Sequence, residues 1–355
     1  MTEYQITGYT PRDRRAIVHF QQLLWLGGPH LNAAYLDWKY HQNPYLDHRY
    51  LVLAWIGDEL VGMVGAFGAC WEVNGLHRLM LPCLSDTVVA PKHQGSPMFV
   101  CMLEDLIERL RADGVPWLLD FGDQPAGPAM LMRGWKALGP WAVAIARREG
   151  PVVGPQSWAR PHHQCIRGSR SGAAIRATLT ASPSSLAAMA TLVAQLPSES
   201  SIRHVRDLEY LTWRYQNPLA RYFYLIAGSQ EMDGYLVAHR SLVDPDAKGR
   251  PTPTTILDCE ASSDDVWMDL LEVALSLLPG SVVLMWARDI SPTRLAGLEP
   301  IGFELDEPSG RLTRDWHLPN LLVRSTGVLA ESSPLARLDV PSAWDLRAAC
   351  GRSWR

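Results

Sequence analysis

A short aromatic motif occurs twice in this chain, and it constrains the fold more than any other feature. Residues 35–44 read YLDWKYHQNP, and residues 210–218 read YLTWRYQNP. The two copies begin 175 positions apart, and each runs into a β-rich stretch, at residues 50–67 and 222–241. A repeat period of this length indicates a duplicated domain rather than a solenoid unit. We therefore expect two copies of one fold, with the function located where the copies differ.

The bulk composition is that of a soluble protein with two domains of ordinary size. The chain has 355 residues, of which 47% are hydrophobic, and its formal net charge is −4. This acidic balance provides no basic face for a nucleic acid, and no run of about 18 apolar residues would span a membrane. The N-terminal residues lack the apolar core of a signal peptide. We expect a cytoplasmic protein without nucleic-acid or membrane partners; the oligomeric state stays open.

The six cysteines are scattered and form no CxxC pair. Their spacing favours buried, reduced thiols over a zinc site or a disulfide framework, so no metal cofactor is expected. The cysteines are Cys70, Cys83, Cys101, Cys165, Cys259 and Cys350.

The domain organisation follows from the repeat and from a change in composition. Residues 149–172 are rich in Pro, Gly, Arg and Ser and are typical of an interdomain linker. We expect an N-terminal domain at 1–148, a C-terminal domain at 173–325 and a tail at 326–355. One further strand is expected at about 312–323.

Within each copy, strand and helix patterns follow one another in the same order. In the first copy, a hairpin at about 50–69 precedes a helix at 97–113 and a strand at 115–121. In the second copy, a helix at 264–278 precedes a strand at 281–287. The predicted fold class is α/β, with a mixed sheet in each domain.

Residues 86–99, DTVVAPKHQGSPMF, combine a strand, a polar loop and the start of an amphipathic helix. Such a turn leaves backbone N–H groups unpaired at a helix N-terminus, where phosphate oxygens bind. Gly95 would let the backbone approach a ligand closely. Pro97 suits the first turn of a helix, where its missing N–H costs nothing. The segment therefore predicts a phosphate-binding loop.

This stretch resembles motif A of the GCN5-related N-acetyltransferase (GNAT) superfamily, in which a strand ending V-x-P leads into a Gln/Arg-x-x-Gly-x-Gly/Ala loop. Val89-Ala90-Pro91 matches the strand end, and residues 118–139 resemble the later strand, short helix and Gly-Trp turn of that family. Two departures are Gln94, where a basic residue is usual, and Pro97, where the second loop Gly or Ala is usual.

The resemblance implies two tandem GNAT-like domains with the acyl-CoA N-acyltransferase fold. It further implies that acetyl-CoA or another acyl-CoA is the co-substrate, with its pyrophosphate on the loop and the thioester oxygen at a backbone N–H of the preceding strand. The cofactor-binding residues so implied are Val88, Val89, Gln94, Gly95, Ser96, Pro97 and Met98.

The second copy lacks the corresponding loop. Its strand at 254–260, TTILDCE, leads directly into a helix that begins near Asp264 and Asp265. Carboxylates cap a helix N-terminus well, but they would repel a pyrophosphate. We expect the second domain to have no CoA site.

Acyl transfer to an amine requires a neutral nucleophile and donors to the thioester oxygen. In GNAT proteins the base is often a strand carboxylate, and Asp86 matches that position; the alternative is a carboxylate paired with a cation or exposed to water. Asp120 and Asp123 could bind a cationic amine, although Asp123 is also placed to cap the next helix. The superfamily's usual acid is a Tyr on that helix, and the segment AGPAMLMRGW at 126–135 contains none.

Three functions remain open at this stage. The first is an acyl-CoA-dependent N-acyltransferase that acts on a small amine: an amino sugar, an amino-acid derivative or a natural-product intermediate. The second is a FemAB-like aminoacyl transferase, which requires a basic groove for tRNA phosphates. The third is a catalytically silent CoA-binding or scaffold module. The two aromatic motifs are expected to be structural.

Overall fold

The structure is a computed structural model of the chain. It describes residues 4–351 except for 25–27, 122–126, 149–164, 199, 230, 242–252, 308–318 and 330–337.

Eight α-helices and seventeen strands lie in these residues. The helices are α1 (Arg14–Phe20), α2 (Pro29–Leu36), α3 (Met98–Ala112), α4 (Gly127–Leu131), α5 (Pro183–Gln195), α6 (Leu208–Arg214), α7 (Asp264–Leu277) and α8 (Pro292–Leu298). The strands are β1 (Gln5–Gly8), β2 (Leu51–Ile56), β3 (Glu59–Val73), β4 (His77–Val89), β5 (Trp117–Asp120), β6 (Lys136–Ala137), β7 (Val143–Arg147), β8 (Cys165–Arg167), β9 (Ala174–Thr178), β10 (Ile202–His204), β11 (Ala220–Ala227), β12 (Gly234–Ser241), β13 (Thr254–Ala261), β14 (Val282–Trp286), β15 (Phe303–Asp306), β16 (Leu322–Ser325) and β17 (Trp344–Asp345). No helix among them is long and apolar enough to cross a membrane.

The strands form two mixed sheets that have the same order. The first sheet runs β1-β2-β3-β4-β5-β16-β6, with β10 added beside β3 and β17 beside β10. The second runs β9-β11-β12-β13-β14-β7-β15, with β8 added beside β9. The predicted fold class, α/β with two similar mixed sheets, is confirmed. We call the first sheet with α1–α4 the first half, and the second sheet with α5–α8 the second half.

The two predicted domain ranges exchange strands. β16, which is late in the chain, lies between β5 and β6 of the first sheet, with Leu322 opposite Asp120. β7 lies between β14 and β15 of the second sheet, with Val282 opposite Arg147. Each of the predicted ranges 1–148 and 173–325 therefore contributes a strand to the other sheet. Of the strand expected at about 312–323, only Leu322 and Val323 lie in an observed strand, β16; residues 319–321 form no strand, and residues 308–318 lie outside the described part.

The repeated motifs meet at a local two-fold arrangement. Trp38 Nε1 donates to the carbonyl of Trp213, and Trp213 Nε1 donates to the carbonyl of Trp38, both at 2.7 Å. The two indoles are stacked with their centroids 4.9 Å apart and an interplanar angle of 8°. Because the exchange is reciprocal, the two copies occupy equivalent positions, and the motif joins the halves.

Each sheet carries an amphipathic helix on its outer face. In the first half, α3 buries one stripe on β2, β3 and β4, and in the second half α7 packs on β12 and β13. A side chain at Gly62 would collide with Met98 and Met102 of α3, so a glycine permits this close packing. The remaining core lies between the halves and contains the stacked indoles. The buried residues of the α3 stripe are Met98, Met102, Leu103, Leu106, Ile107 and Leu110.

Candidate active site

The edge of β4 is where the first half can accept a ligand. Among the described residues, β4 pairs with β5 only at Cys83 and Leu119, and β5 ends one residue later at Asp120. β4 continues for six more residues to Val89, still paired with β3 on its other side. The two parallel strands therefore part, and the backbone of Ser85–Val89 has no ladder partner on the β5 side.

The direction of the backbone N–H groups decides whether Val88 or Val89 could donate to a thioester oxygen. Ala90 N donates to Val61 O at 2.8 Å, towards β3. Successive backbone N–H groups of a strand point to opposite sides in the plane of the sheet. The N–H of Val89 therefore points to the side where β5 has parted, whereas that of Val88 points to β3. Consistent with this direction, Gln94 Nε2 reaches the carbonyl of Val89 at 3.4 Å.

The predicted phosphate loop forms the turn from β4 into α3. A short 3₁₀ turn at Pro91–His93 is followed by Gly95, whose φ of +80° lies in the left-handed region that favours glycine. A Cβ on Gly95 would meet no protein atom within 4 Å, so a ligand could approach this backbone. The first turn of α3 carries backbone N–H groups that have no partner within the helix. Loop and helix therefore offer the donors that a pyrophosphate requires.

The other loop residues have more local roles. Ser96 Oγ donates to the carbonyl of His93 at 2.6 Å and accepts from Met98 N at 3.4 Å, which caps the helix. Met98 is buried under β3, so its side chain belongs to the core. Gln94 and Pro97 are exposed. Lys92, which is also exposed, supplies a positive charge within the loop.

Asp86, the predicted base, is bound by a buried cation and two phenols. It lies at a β-bulge of β4, with a φ of +50°, and only 6% of its surface is exposed. Its Oδ1 accepts from Lys39 Nζ at 3.2 Å and from Tyr35 OH at 3.3 Å, and its Oδ2 accepts from Tyr40 OH at 2.6 Å. Lys39 also donates to Ser85 Oγ. Both carboxylate oxygens are therefore engaged.

The phenol of Tyr40 is a donor in this cluster. Burial, and secondly the nearby carboxylate of Asp86, raise the pKa of Tyr40 well above its usual range. The neutral phenol therefore directs its proton at Asp86 Oδ2. Lys39 is fully buried, and its ammonium also lies 5.1 Å from the ring centroids of Tyr35 and Phe67. Cation–π contacts of this kind help offset the cost of burying the charge.

The same aspartate occurs in the second half. The corresponding ladder pairs are Met63 with Val88 and Tyr235 with Glu260, and Gly62 with Val89 and Gly234 with Ala261. Asp86 and Asp258 each lie two residues before the equivalent of Val88. Asp258 accepts from Arg206 Nη1 at 2.5 Å and from Tyr235 OH at 2.7 Å. A buried aspartate with a cation and a phenol therefore belongs to both copies of the fold.

The remaining candidates are placed as follows. Asp120 is buried at the end of β5, opposite Leu322 of the exchanged strand. Asp123 lies outside the described residues. The short helix α4 carries no tyrosine, so the usual acid of the family has no counterpart there. No group of three or more His, Cys, Asp or Glu side chains in the described ranges could hold a metal ion.

Sequence reasoning assigned the first aromatic motif to packing and missed its polar members. Tyr35 and Lys39 are one helical turn apart, and Tyr40 follows directly. A lysine within a strongly aromatic helix could have indicated a buried charge, because such a charge requires a carboxylate partner. The identity of that partner depends on the bulge in β4, which has no local sequence signature.

The counterpart of the phosphate loop in the second half is closed by its own side chains. Ser263 caps α7 by accepting from Val266 N at 3.3 Å. Asp264 pairs with Arg294 at 2.7 Å. The cap of α7 is therefore Ser263, and neither of the two aspartates expected to cap this helix takes that role; Asp264 is bound by Arg294 instead.

The match to a known family covers the segment that holds this site. Residues 10–126 match the model of the acetyltransferase (GNAT) domain family. This segment of the chain is therefore identified as an acetyltransferase (GNAT) domain. The matched range contains β4, the Gly95 loop and α3, so the GNAT assignment rests on the part of the chain with the predicted acyl-CoA loop.

Solved structures extend the GNAT fold to the second half. A GCN5-related N-acetyltransferase from Anabaena variabilis is 10% identical, with a TM-score of 0.60 over 92% of this chain and 74% of that one. One from Kribbella flavida is 14% identical, with a TM-score of 0.58 over 91% and 71%. Eis1 from Mycobacterium abscessus is 15% identical, with a TM-score of 0.53 over 91% and 74%. No curated protein matches the sequence.

Proposed function

We propose that this GNAT protein is an acyl-CoA-dependent N-acyltransferase, with acetyl-CoA as the first co-substrate to test. The observation that carries the proposal is the Gly95 loop, which offers open backbone at the N-terminus of α3. The Val89 N–H at the adjacent strand edge supplies a donor to the thioester oxygen. The acyl arm would lie along the edge of β4, since the pyrophosphate is held where that strand ends.

The acceptor in this proposal is a small-molecule amine in the cytoplasm. Amino sugars, amino-acid derivatives and natural-product intermediates are the three classes to compare. Asp86 is the residue proposed to influence the amine, and its geometry favours positioning over direct proton removal. Its oxygens are held by Lys39 and Tyr40, so it would act through the charge and hydrogen bonds that it imposes on the bulge beside Val89.

The loop assignment is tested by acetyl-CoA binding to a Gly95→Glu variant. The substitution places bulk and negative charge where the pyrophosphate would bind, so affinity should fall by about 100-fold or more. Gly75→Glu is the matched control. Gly75 also has a positive φ (+67°) and open space around its Cβ position, but it lies in the turn between β3 and β4.

Isothermal titration of both variants and the parent chain measures the effect, with the thermal midpoint as a check on folding. Native affinity in Gly95→Glu would show that the loop is not the CoA site. Tight binding without transfer to any amine class would instead favour the silent CoA-binding module.

One observation favours the FemAB-like alternative. A groove of about 530 Å³ between α1 and α2 is lined by three arginines and two histidines among apolar residues, and one of these arginines, Arg14, is paired with Asp37. Binding of aminoacyl-tRNA with a steep salt dependence would support this alternative, whereas absence of binding at low salt would exclude it. The lining residues are Pro11, Arg12, Arg14, Arg15, Val18, His19, Pro29, His30 and Ala33.

A further inference from the structure

The second half contains the counterpart of the cleft between β4 and β5. β13 and β14 pair in parallel from Thr254 to Ile256, and then the two strands part. β13 continues to Ala261, still paired with β12, as β4 continues to Val89 beside β3. The second sheet therefore opens at the same level of the fold as the first.

A segment from the end of the described chain fills this second cleft. We call residues 344–351 the C-terminal segment. Leu346, Ala348, Ala349 and Cys350 are each at most 3% exposed. A Cβ on Gly351 would collide with the indole of Trp286 at the end of β14, so the segment passes closely against that strand.

Polar contacts hold the segment in place. Tyr210 OH donates to the carbonyl of Ala349 at 2.9 Å, and Arg214 Nε donates to the same oxygen at 3.4 Å. Leu346 N donates to Asp289 Oδ2 at 3.1 Å. Two of these three contacts come from the second copy of the aromatic motif and the third from the loop after β14. The backbone of the segment is therefore bound on two sides.

A charge pair anchors the segment next to Ala261, the equivalent of Val89. Arg347 Nε donates to Glu260 Oε1 at 3.2 Å, and Arg206 pairs with the same carboxylate at 2.7 Å. Glu260 is the ladder equivalent of Val88, on the strand stretch that the thioester would line in the first half. Although burial opposes it, the two guanidinium groups lower the pKa of Glu260, so the carboxylate is charged and bound.

Little space remains beside the segment. The cavity between β13 and β14, with Arg347 and Ala348 in its wall, has a volume of about 30 Å³. A volume of that size holds one or two water molecules. A pantetheine arm would require the segment to leave.

We propose that the C-terminal segment is an internal ligand of the second cleft, occupying the space that corresponds to the acyl arm of the first half. The second half then binds no acyl-CoA of its own, and the segment locks the second half to the aromatic interface between the halves. The occupancy of the cleft does not depend on the proposed function of the first half.

The native cysteines of the full-length chain test this directly. Cys350 in the segment and Cys259 in the cleft are buried, while Cys101 and Cys165 are exposed. Burial also raises the pKa of Cys350 to about 12, which suppresses its thiolate. Alkylation followed by peptide mass spectrometry should label Cys101 and Cys165 quickly, and Cys350 and Cys259 at least about 100-fold more slowly, because the last two require local opening.

Arg347→Glu should release the C-terminal segment, because it replaces the ion pair with Glu260 by repulsion between two carboxylates. Labelling of Cys350 and Cys259 should then rise by about tenfold or more, while the exposed thiols stay unchanged. Arg15→Glu, an equal charge change on the exposed surface of α1, is the control. Arg347→Ala is the milder variant if charge reversal prevents folding, and it should move the same two rates in the same direction.

Rapid labelling of Cys350 in the parent chain would overturn the proposal. So would binding of two acetyl-CoA molecules per parent chain, because the second cleft would then accept a ligand. Failure of the first half to bind acetyl-CoA would refute the proposed function alone and would leave the labelling result intact.

Discussion

The two halves of this protein share a scaffold and differ at the edge where a ligand would bind. Both have the same strand order and a buried aspartate at the equivalent position of the strand, in or next to a bulge. The first half follows that bulge with the open Gly95 loop, whereas the second follows it with Ser263, which caps its own helix. The aspartate is therefore common to both copies of the fold, whereas the open loop, which we propose as the acyl-CoA site, is found in the first half alone among the described residues.

The basic residue of the repeated motif shows how one position acquires two roles. Lys39 pairs directly with Asp86. Its equivalent, Arg214, donates to Tyr222 OH and to the carbonyl of Ala349, and Arg206 pairs with Asp258 instead. In the second half the motif therefore holds the C-terminal segment. In the first half it holds the bulge next to the predicted thioester site.

The largest effect is expected when residues 1–148 are separated from the strands that the rest of the chain supplies. Residues 1–148 alone should fail to fold, because β5 and β6 lose β16 between them and β7 loses both of its neighbours. Exposed strand edges of this kind also promote aggregation. The amide dispersion of the fragment in an ¹⁵N-correlated NMR spectrum, with the full chain as the reference, measures this. Adding a peptide of residues 319–329 should restore dispersion if the missing strand is the cause.

A well-dispersed spectrum from residues 1–148 alone would show that the first half is an independent domain. The exchanged strands would then be an accessory contact between two finished sheets.

The second prediction asks whether Asp86 has a role in turnover beyond the structural role that it shares with Asp258. Asp86→Asn leaves the buried Lys39 without its countercharge and should lower the free energy of unfolding by about 3–5 kcal/mol. Asp258→Asn should lower it less, because Arg206 keeps its ion pair with Glu260 at 2.7 Å. Urea denaturation measures this loss. Turnover should fall only in Asp86→Asn, with acetyl-CoA affinity nearly unchanged. The Asp258→Asn variant is the control for the consequences of lost stability.

Equal turnover losses in both variants would assign Asp86 a purely structural role, with the amine deprotonated by solvent. The double variant Lys39→Met with Asp86→Asn removes both charges. It should recover part of the stability lost by Asp86→Asn, since no unpaired charge remains buried.

The effect that is smallest near neutral pH is the loss of stability of the second half in acid. Burial, and secondly Arg214, lower the pKa of His239 from 6.5 to about 3. Between these two pH values, His239 binds a proton in the unfolded chain but not in the folded chain. The contribution of the neutral imidazole to the free energy of unfolding is therefore lost as the pH falls from about 6.5 towards 3. The expected slope is about 1.4 kcal/mol per pH unit from this residue. His239→Gln should flatten the pH dependence of urea unfolding by that amount.

His77→Gln, at an exposed position in the first half, is the matched control and should leave the slope unchanged. His204 is also buried, and burial followed by Arg206 lowers its pKa, so a residual slope should remain in His239→Gln. An unaltered slope in His239→Gln would mean that this imidazole is protonated in the fold.

Local patterns in the sequence were sufficient for the elements and for the loop. The spacing of apolar residues predicted a helix at 97–113, observed at Met98–Ala112, and one at 264–278, observed at Asp264–Leu277. Gly95 was expected in the polar loop between the strand and the helix, and the structure places it there, with a positive φ. These features depend on residues within a few positions of each other, so a single sequence carries their signal.

Only the tertiary structure decided which strands pair across the halves and which charges meet. β7 and β16 have ordinary strand patterns, and their own residues do not indicate which of the two sheets each strand joins. The partner of Lys39 is 47 positions away, and its position depends on one extra residue in β4. The sequence by itself therefore determined the duplication, the helices and the turn at Gly95. Register and long-range packing, which only the folded sheets specify, decided the strand exchange, the buried ion pair and the segment that fills the second cleft.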